Sequence, residues 1–264
     1  MFLIVLMLAC GSSYSTNQGQ DALKRHDLPA AEQAFRTALE RNPNYEEALS
    51  GLGWTYHIAG KTEAARSIFQ RCEQLHPNSS ECLRGLGSIA FSDGKVIQAR
   101  AWIEAAQRVA PSDPKVESSV ALLAMVEGRL DVSKAAYQSL ADRFPNQAEY
   151  RLGLGECLFR LDDSMNAADV AADALTLPDT PIRYRAMLFA LHARALLKST
   201  AGVEDPKDCD RTAPPVHEWL LAAQGSIEQA ISTNVDLADI YVVQRQILRR
   251  QTMLTENCPS VIFE

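Results

Sequence analysis

Four prolines stand 34 residues apart, at Pro43, Pro77, Pro111 and Pro145. A second ladder keeps the same step: Gly-Leu-Gly occupies 51–53, 85–87 and, two periods further on, 153–155. The copy between them, Ser-Val-Ala at 119–121, is still small-apolar-small. Two independent ladders of one period define an internal repeat. Within one copy, Tyr45 to Asn78, two amphipathic helical patterns meet at Gly60 and stop at Pro77. Such a hairpin cannot bury its own apolar face, so successive copies must stack. Alanine and leucine dominate and aromatic residues are 7% of the chain, a balance that favours helices over strands.

The second copy (46–79) places Leu49, Leu52, Gly53, Tyr56, Gly60, Ala65, Phe69, Cys72 and Pro77. The third (80–113) places Leu83, Leu86, Gly87, Ala90, Gly94, Ala99, Ile103, Ala106 and Pro111. The fourth (114–147) keeps Ala121, Ala124, Gly128, Tyr137, Leu140 and Pro145. The first (12–45) has a poor first helix and a good second one, with Ala31, Phe35, Ala38 and Pro43; the fifth (148–181) has Asp162-Asp163 where the turn glycine stands elsewhere. This pattern resembles the tetratricopeptide repeat. The resemblance implies an all-α, right-handed α-solenoid of about six helical hairpins. Small residues would let helices approach, large ones would fill between ridges, and each proline would end a second helix.

Beyond 181 the period slips. Residues 182–234 read as a sixth repeat: a helix at 182–198, a polar insertion at 199–215, and a helix at 216–232. Residues 235–264 read as a capping helix, about 236–255, whose Arg245, Arg249 and Arg250 suit an outer, solvated face, and a tail.

Residues 1–9 are apolar, uncharged and too short to span a bilayer, which takes about 20 residues. They fit the core of a short signal peptide. Leu8-Ala9-Cys10-Gly11 resembles the cleavage box of bacterial lipoproteins, although no Lys or Arg precedes the run and Met7 stands where that box has Leu. The resemblance implies lipidation, with palmitate, on Cys10. Residues 10–20 would be a polar tether overlapping the degenerate first helix, and the protein would face the periplasm, from the outer membrane. A cytoplasmic adaptor is the alternative if 1–9 is no signal.

Six cysteines are present and none forms a CxxC pair, so no zinc or thioredoxin-like motif is suggested. In the stacked order, Cys209 of the insertion and Cys258 after the cap emerge at the same end. A disulfide there would close a loop of about 50 residues and contribute roughly 4 kcal/mol. Cys72 and Cys82 flank an inter-repeat turn and are either a second bridge or two buried thiols.

Five histidines show no metal spacing and no partnered nucleophile, so no catalytic residue, metal or cofactor is expected. An enzyme subunit with its site in 199–215, around Asp210 and His217, is the weaker rival. A net charge of −7 argues against nucleic acid as the partner. By position, the resemblance implies a concave groove lined by first helices. Its lining would be Trp54, His57, Ile58, Arg84, Ser88, Phe91, Leu122, Met125, Val126, Leu152, Glu156, Phe159 and Arg160. Aromatic, Met and Arg residues suit a protein or peptide partner rather than a small-molecule substrate. The basic clamp that some tetratricopeptide domains use on chaperone C-termini is absent, since its positions hold Thr16, Gln20, Gly51, Glu81 and Gly85.

Overall fold

The computed structural model describes the backbone of residues 2–201, 216–233, 235–237 and 240–257, with side chains from Ser12 to Glu256. Thirteen helices and no strand occur among the described residues. They fall into two compact units, 1–127 and 128–264. Unit 1 contains α1 (Phe2–Lys24), α2 (Leu28–Arg41), α3 (Glu46–Ile58), α4 (Thr62–Leu75), α5 (Ser80–Ser92), α6 (Val96–Val109) and α7 (Pro114–Val126). Unit 2 contains α8 (Leu130–Arg143), α9 (Ala148–Arg160), α10 (Ser164–Leu175), α11 (Ile182–Ala201), α12 (Val216–Ser232) and α13 (Ile240–Asn257).

The proline ladder makes the turns between hairpins. Residues 42, 76, 110 and 144 cap α2, α4, α6 and α8. In each case the backbone carbonyl of the capping residue accepts the N–H three residues on, from Tyr45, Ser79, Asp113 and Gln147. Proline is the second residue of each four-residue turn, where its fixed φ is already correct. It therefore shapes the turn as well as stopping the helix.

A third ladder lies inside the hairpins. Residues 26, 60, 94, 128 and 162 all have positive φ, from 59° to 78°. Glycine adopts this conformation without strain at 60, 94 and 128, whereas His26 and Asp162 adopt it with a Cβ. The residue after each of 26, 60, 94 and 162 donates its N–H back to the carbonyl five residues earlier, from Asp27, Lys61, Lys95 and Asp163 at 2.9 Å each. This is the helix-ending bond that a left-handed residue permits.

Gly-Leu-Gly is a seat for large side chains. In unit 1 the fully buried Phe35 ring lies where a Cβ on Gly19 or Gly51 would go, and Phe69 lies likewise between Gly53 and Gly85. Ile103 fills the place beside Gly87. In unit 2 Tyr137 lies against Gly153. The matching position in α10 is the small Ala171, and Leu191 of α11 occupies the space beside Gly155 instead. Each glycine thus admits an apolar side chain against the helix backbone, and interdigitation of this kind gives interior packing density.

Two boundaries are sharpened. The segment 10–20, expected as a tether overlapping a degenerate first helix, lies within α1. Ser12, Ser15 and Thr16 are buried, the Ser12 hydroxyl donates to the Ala38 carbonyl at 3.5 Å, and Gly19 accommodates Phe35. Small side chains let α1 lie close to α2, which a reading based on polarity misses. The insertion begins later than 199, because α11 continues to Ala201, with the Ser199 hydroxyl on the Ala195 carbonyl and the Thr200 hydroxyl on that of Leu197. Residues 202–215 and 258–264 lie outside the described residues, and with them Cys209, Asp210 and Cys258. The side chain of Cys10 does too.

Candidate functional site: the first-helix faces

First helices of successive hairpins approach one another, α1 to α3, α3 to α5 and α5 to α7 in unit 1, and α9 to α11 and α11 to α13 in unit 2. The second helices α2, α4 and α6 make no approach of comparable extent, nor do α10 and α12. Within each unit the first helices therefore form the inner face. The expected groove residues lie on these helices but meet different fates.

In unit 1 this face is tied together by its own side chains. Trp54 of α3 donates its indole N–H to Glu81 Oε2 of α5 at 3.2 Å. Arg84 stacks over the indole, 5.1 Å from its centroid, and donates to the same carboxylate oxygen and to Ser119 of α7. Lys115 of α7 reaches Glu81 Oε1 at 2.6 Å. Burial pushes the Glu81 carboxyl up, but the charges of Arg84 and Lys115 and the bonds from Lys115 and Trp54 outweigh it and hold it below its ordinary value. Beneath this layer Trp54 packs edge-on against Phe69 and His57, at 5.3 and 5.7 Å, and His57 bonds Ser88 Oγ at 2.9 Å. Thus Trp54, His57, Arg84 and Ser88 join three consecutive first helices. Phe91 and Ile58 are half-buried, Leu122 and Val126 are exposed at 41% and 43%, and Met125 is buried. Burial of Met125 withdraws it from the groove, because its helix position faces the stack.

Cys72 and Cys82 are joined by a disulfide, with Cα atoms 5.9 Å apart, beside the buried Leu49. The bridge links the end of α4 to the start of α5 across the Pro77 turn.

In unit 2 the inner face opens into a cleft of about 580 Å³ between α9, α11 and α13. Phe159 lies at one side, with Arg194 4.5 Å and Lys198 4.8 Å from its ring centroid. Leu197, Val243 and Met253 supply an apolar lining, and Arg249 and Arg250 of α13 add two more cations. Arg194 is held by Glu156 at 3.0 Å and Lys198 by Asp162 at 2.6 Å. Glu156 therefore positions a cation without lining the cleft. Leu152 is buried and belongs to the core, and Arg160 is exposed outside the lining. Sequence reasoning found Phe159 by period, gave Arg194 and Lys198 no role, and took Arg249 and Arg250 for an outer, solvated face of the capping helix, whereas both line the cleft. They lie where the period slips; the basic spacing in α11 and α13 was the available signal.

Elsewhere, Cys157 is a buried free thiol that donates to Ser133 Oγ at 3.1 Å, and burial pushes its pKa up. His192 meets Ser226 Oγ at 2.7 Å, and burial, against the opposing charge of Asp169, pushes its pKa down. His217 is half-buried at the start of α12. Among the described residues no cluster fit to hold a metal ion occurs, and no helix is long and apolar enough to cross a membrane.

The tetratricopeptide repeat family profile matches residues 16–80, 59–114 and 121–180, more than half of the chain. The chain belongs to this family, an all-α solenoid of a class that serves as a scaffold for protein–protein interaction. No curated protein matches it. Among solved structures it is similar to a tetratricopeptide repeat protein from Parabacteroides merdae, at 17% identity and a TM-score of 0.64 over 90% of this chain and 84% of that one. It is also similar to TTC0263, a thermophilic protein of the same family from Thermus thermophilus, at 19% identity and 0.58 over 68% and 98%. PilF of Pseudomonas aeruginosa matches at 15% identity and 0.53 over 93% and 99%. At these identities the likeness is one of fold.

Proposed function

We propose that this chain is an exported lipoprotein, held by lipid on Cys10 at the periplasmic face of the outer membrane, and a non-catalytic scaffold that assists assembly of a cell-envelope complex. The open cleft on the inner face of unit 2 carries the binding part of this reading. Among the described residues its lining offers apolar surface and cations and no carboxylate, imidazole or thiol on which acid–base or nucleophilic chemistry could run. Supporting the anchor are the apolar run 1–9 and the small Ala9 before Cys10. Ser12, two residues after Cys10, is buried and bonds the Ala38 carbonyl, so a lipid on Cys10 would hold the first hairpin close to the membrane. Metabolic labelling with palmitate tests the anchor: label should enter the protein and vanish in Cys10→Ala. An unlabelled, unprocessed chain would favour the cytoplasmic adaptor. A photocrosslinking residue at position 159 tests the binding face, which should capture a protein partner in cells.

A further inference from the structure

We propose that the cleft of unit 2 receives an acidic, partly apolar peptide segment of a protein partner. This names the partner chemistry of the cleft and rests on its being the binding face. The chain as a whole carries a net charge of −7, so a local set of cations is not background. Arg194, Lys198, Arg249 and Arg250 all line the cleft, and among the described residues no Asp or Glu does. Two of these cations are positioned. Phe159 lies under both Arg194 and Lys198, and the carboxylates that hold them sit outside the lining, with the Asp162 side chain 83% exposed. Cations stacked on a ring and held from behind keep donors for a further carboxylate. Arg250 gives one N–H to the Thr200 carbonyl at 3.2 Å. Arg249 is exposed and makes no ion pair or hydrogen bond among the described residues, so its whole fork is available.

The lining between the charges selects among anions. Leu197 and Met253 present apolar surface, Met253 being 44% exposed, and the buried Val243 completes the lining. A free phosphate or a polyphosphate would satisfy the cations and leave this surface wet. A peptide with alternating acidic and apolar side chains covers both. The volume lies in the range of about 300–1,000 Å³ found for ligand sites. It admits a few residues of an extended chain and excludes a folded domain.

Fluorescence anisotropy of the full chain tests this with a short fluorescein-labelled peptide of Leu, Glu and Asp. The peptide should bind, and raising salt from about 0.05 to 0.3 M should weaken it several-fold. Arg249→Glu and Lys198→Glu should each weaken it about tenfold or more, the former with unchanged helicity and melting. Arg108→Glu, on α6 of unit 1, should have no effect. Equal binding of a peptide with Lys at every acidic position, or indifference to Arg249→Glu, would overturn the inference. So would vesicles containing phosphatidylglycerol that bind in an Arg249-dependent way while the peptide does not. Crosslinking from position 253 separates the two levels of failure. A captured partner segment without acidic residues overturns the acidic peptide and leaves the scaffold standing. Capture from position 122 alone overturns the cleft as the binding face.

Discussion

The inner faces of the two units are built from equivalent helices and do opposite things. In unit 1 the polar groups of three first helices are spent on one another, with Glu81 as the hub for Trp54, Arg84 and Lys115. In unit 2 Arg194 and Lys198 are held by acids that stand outside the lining, and a cleft separates the helices. A residue type suited to interfaces therefore marks a binding face only when its hydrogen bonds and ring faces are unspent. Trp54 and Phe159 are both stacked with cations. One closes a joint between repeats, and the other lines a cleft.

Substitutions can break this comparison, and the largest effect belongs to unit 1. Phe69→Ala removes a fully buried ring seated between two glycines and should cost about 3–5 kcal/mol in chemical denaturation. Phe159→Ala in unit 2 removes a half-buried ring that also packs on the core, so it should cost less, about 1–2 kcal/mol, and abolish capture of acidic peptide. Next is the disulfide. Cys82→Ala should cost roughly 2–3 kcal/mol, seen as a melting difference that reductant erases, because the bridge closes a short loop at the α4–α5 joint. Trp54→Ala should cost about 1–3 kcal/mol, since it opens the space over Phe69 and unties Glu81. An unchanged melting curve would mean that unit 1 is not a sealed face.

Acid should separate the units by pH. The lowered pKa of His192 means that its neutral form is bound by the fold. That contribution is complete above the unfolded value of about 6.5 and is lost as pH falls below it. The carboxylate of Glu81 is also depressed, so its contribution is complete above about 4.3 and is lost only as pH falls through and below that value. Hydrogen exchange against pH should show α11 and α12 loosening before α3 and α5, and His192→Gln should remove the early phase. The smallest effects lie at the turns. His26→Gly should stabilise unit 1 by about 0.5–1 kcal/mol by removing a left-handed Cβ. Asp162→Gly should gain less, because it also releases Lys198.

The hairpins were legible because a period is a property of the whole stack: Pro43, Gly53 and Phe69 recur where the geometry repeats. The left-handed ladder was legible where glycine fills it and, by period, at Asp162, which stands in the glycine's place. His26 takes the same conformation in the first copy, whose poor first helix hid the register. The site was less legible. Positional transfer put Trp54, Met125 and Leu152 beside Phe159, although the first joins neighbouring helices and the next two are buried. Whether a first-helix side chain faces a partner or the next repeat depends on what that repeat supplies. Glu81 and Lys115 are such supplies, and a single repeat read alone does not contain them. Arg194 and Arg249 escaped because they follow the slip in period, where no register was available to transfer.

Hydrogen exchange on the full chain, with and without the acidic peptide, tests the central claim most directly. Protection should rise in α9, α11 and α13 and stay unchanged in α3, α5 and α7. Protection gained across α3, α5 and α7, with α11 and α13 unaffected, would contradict it.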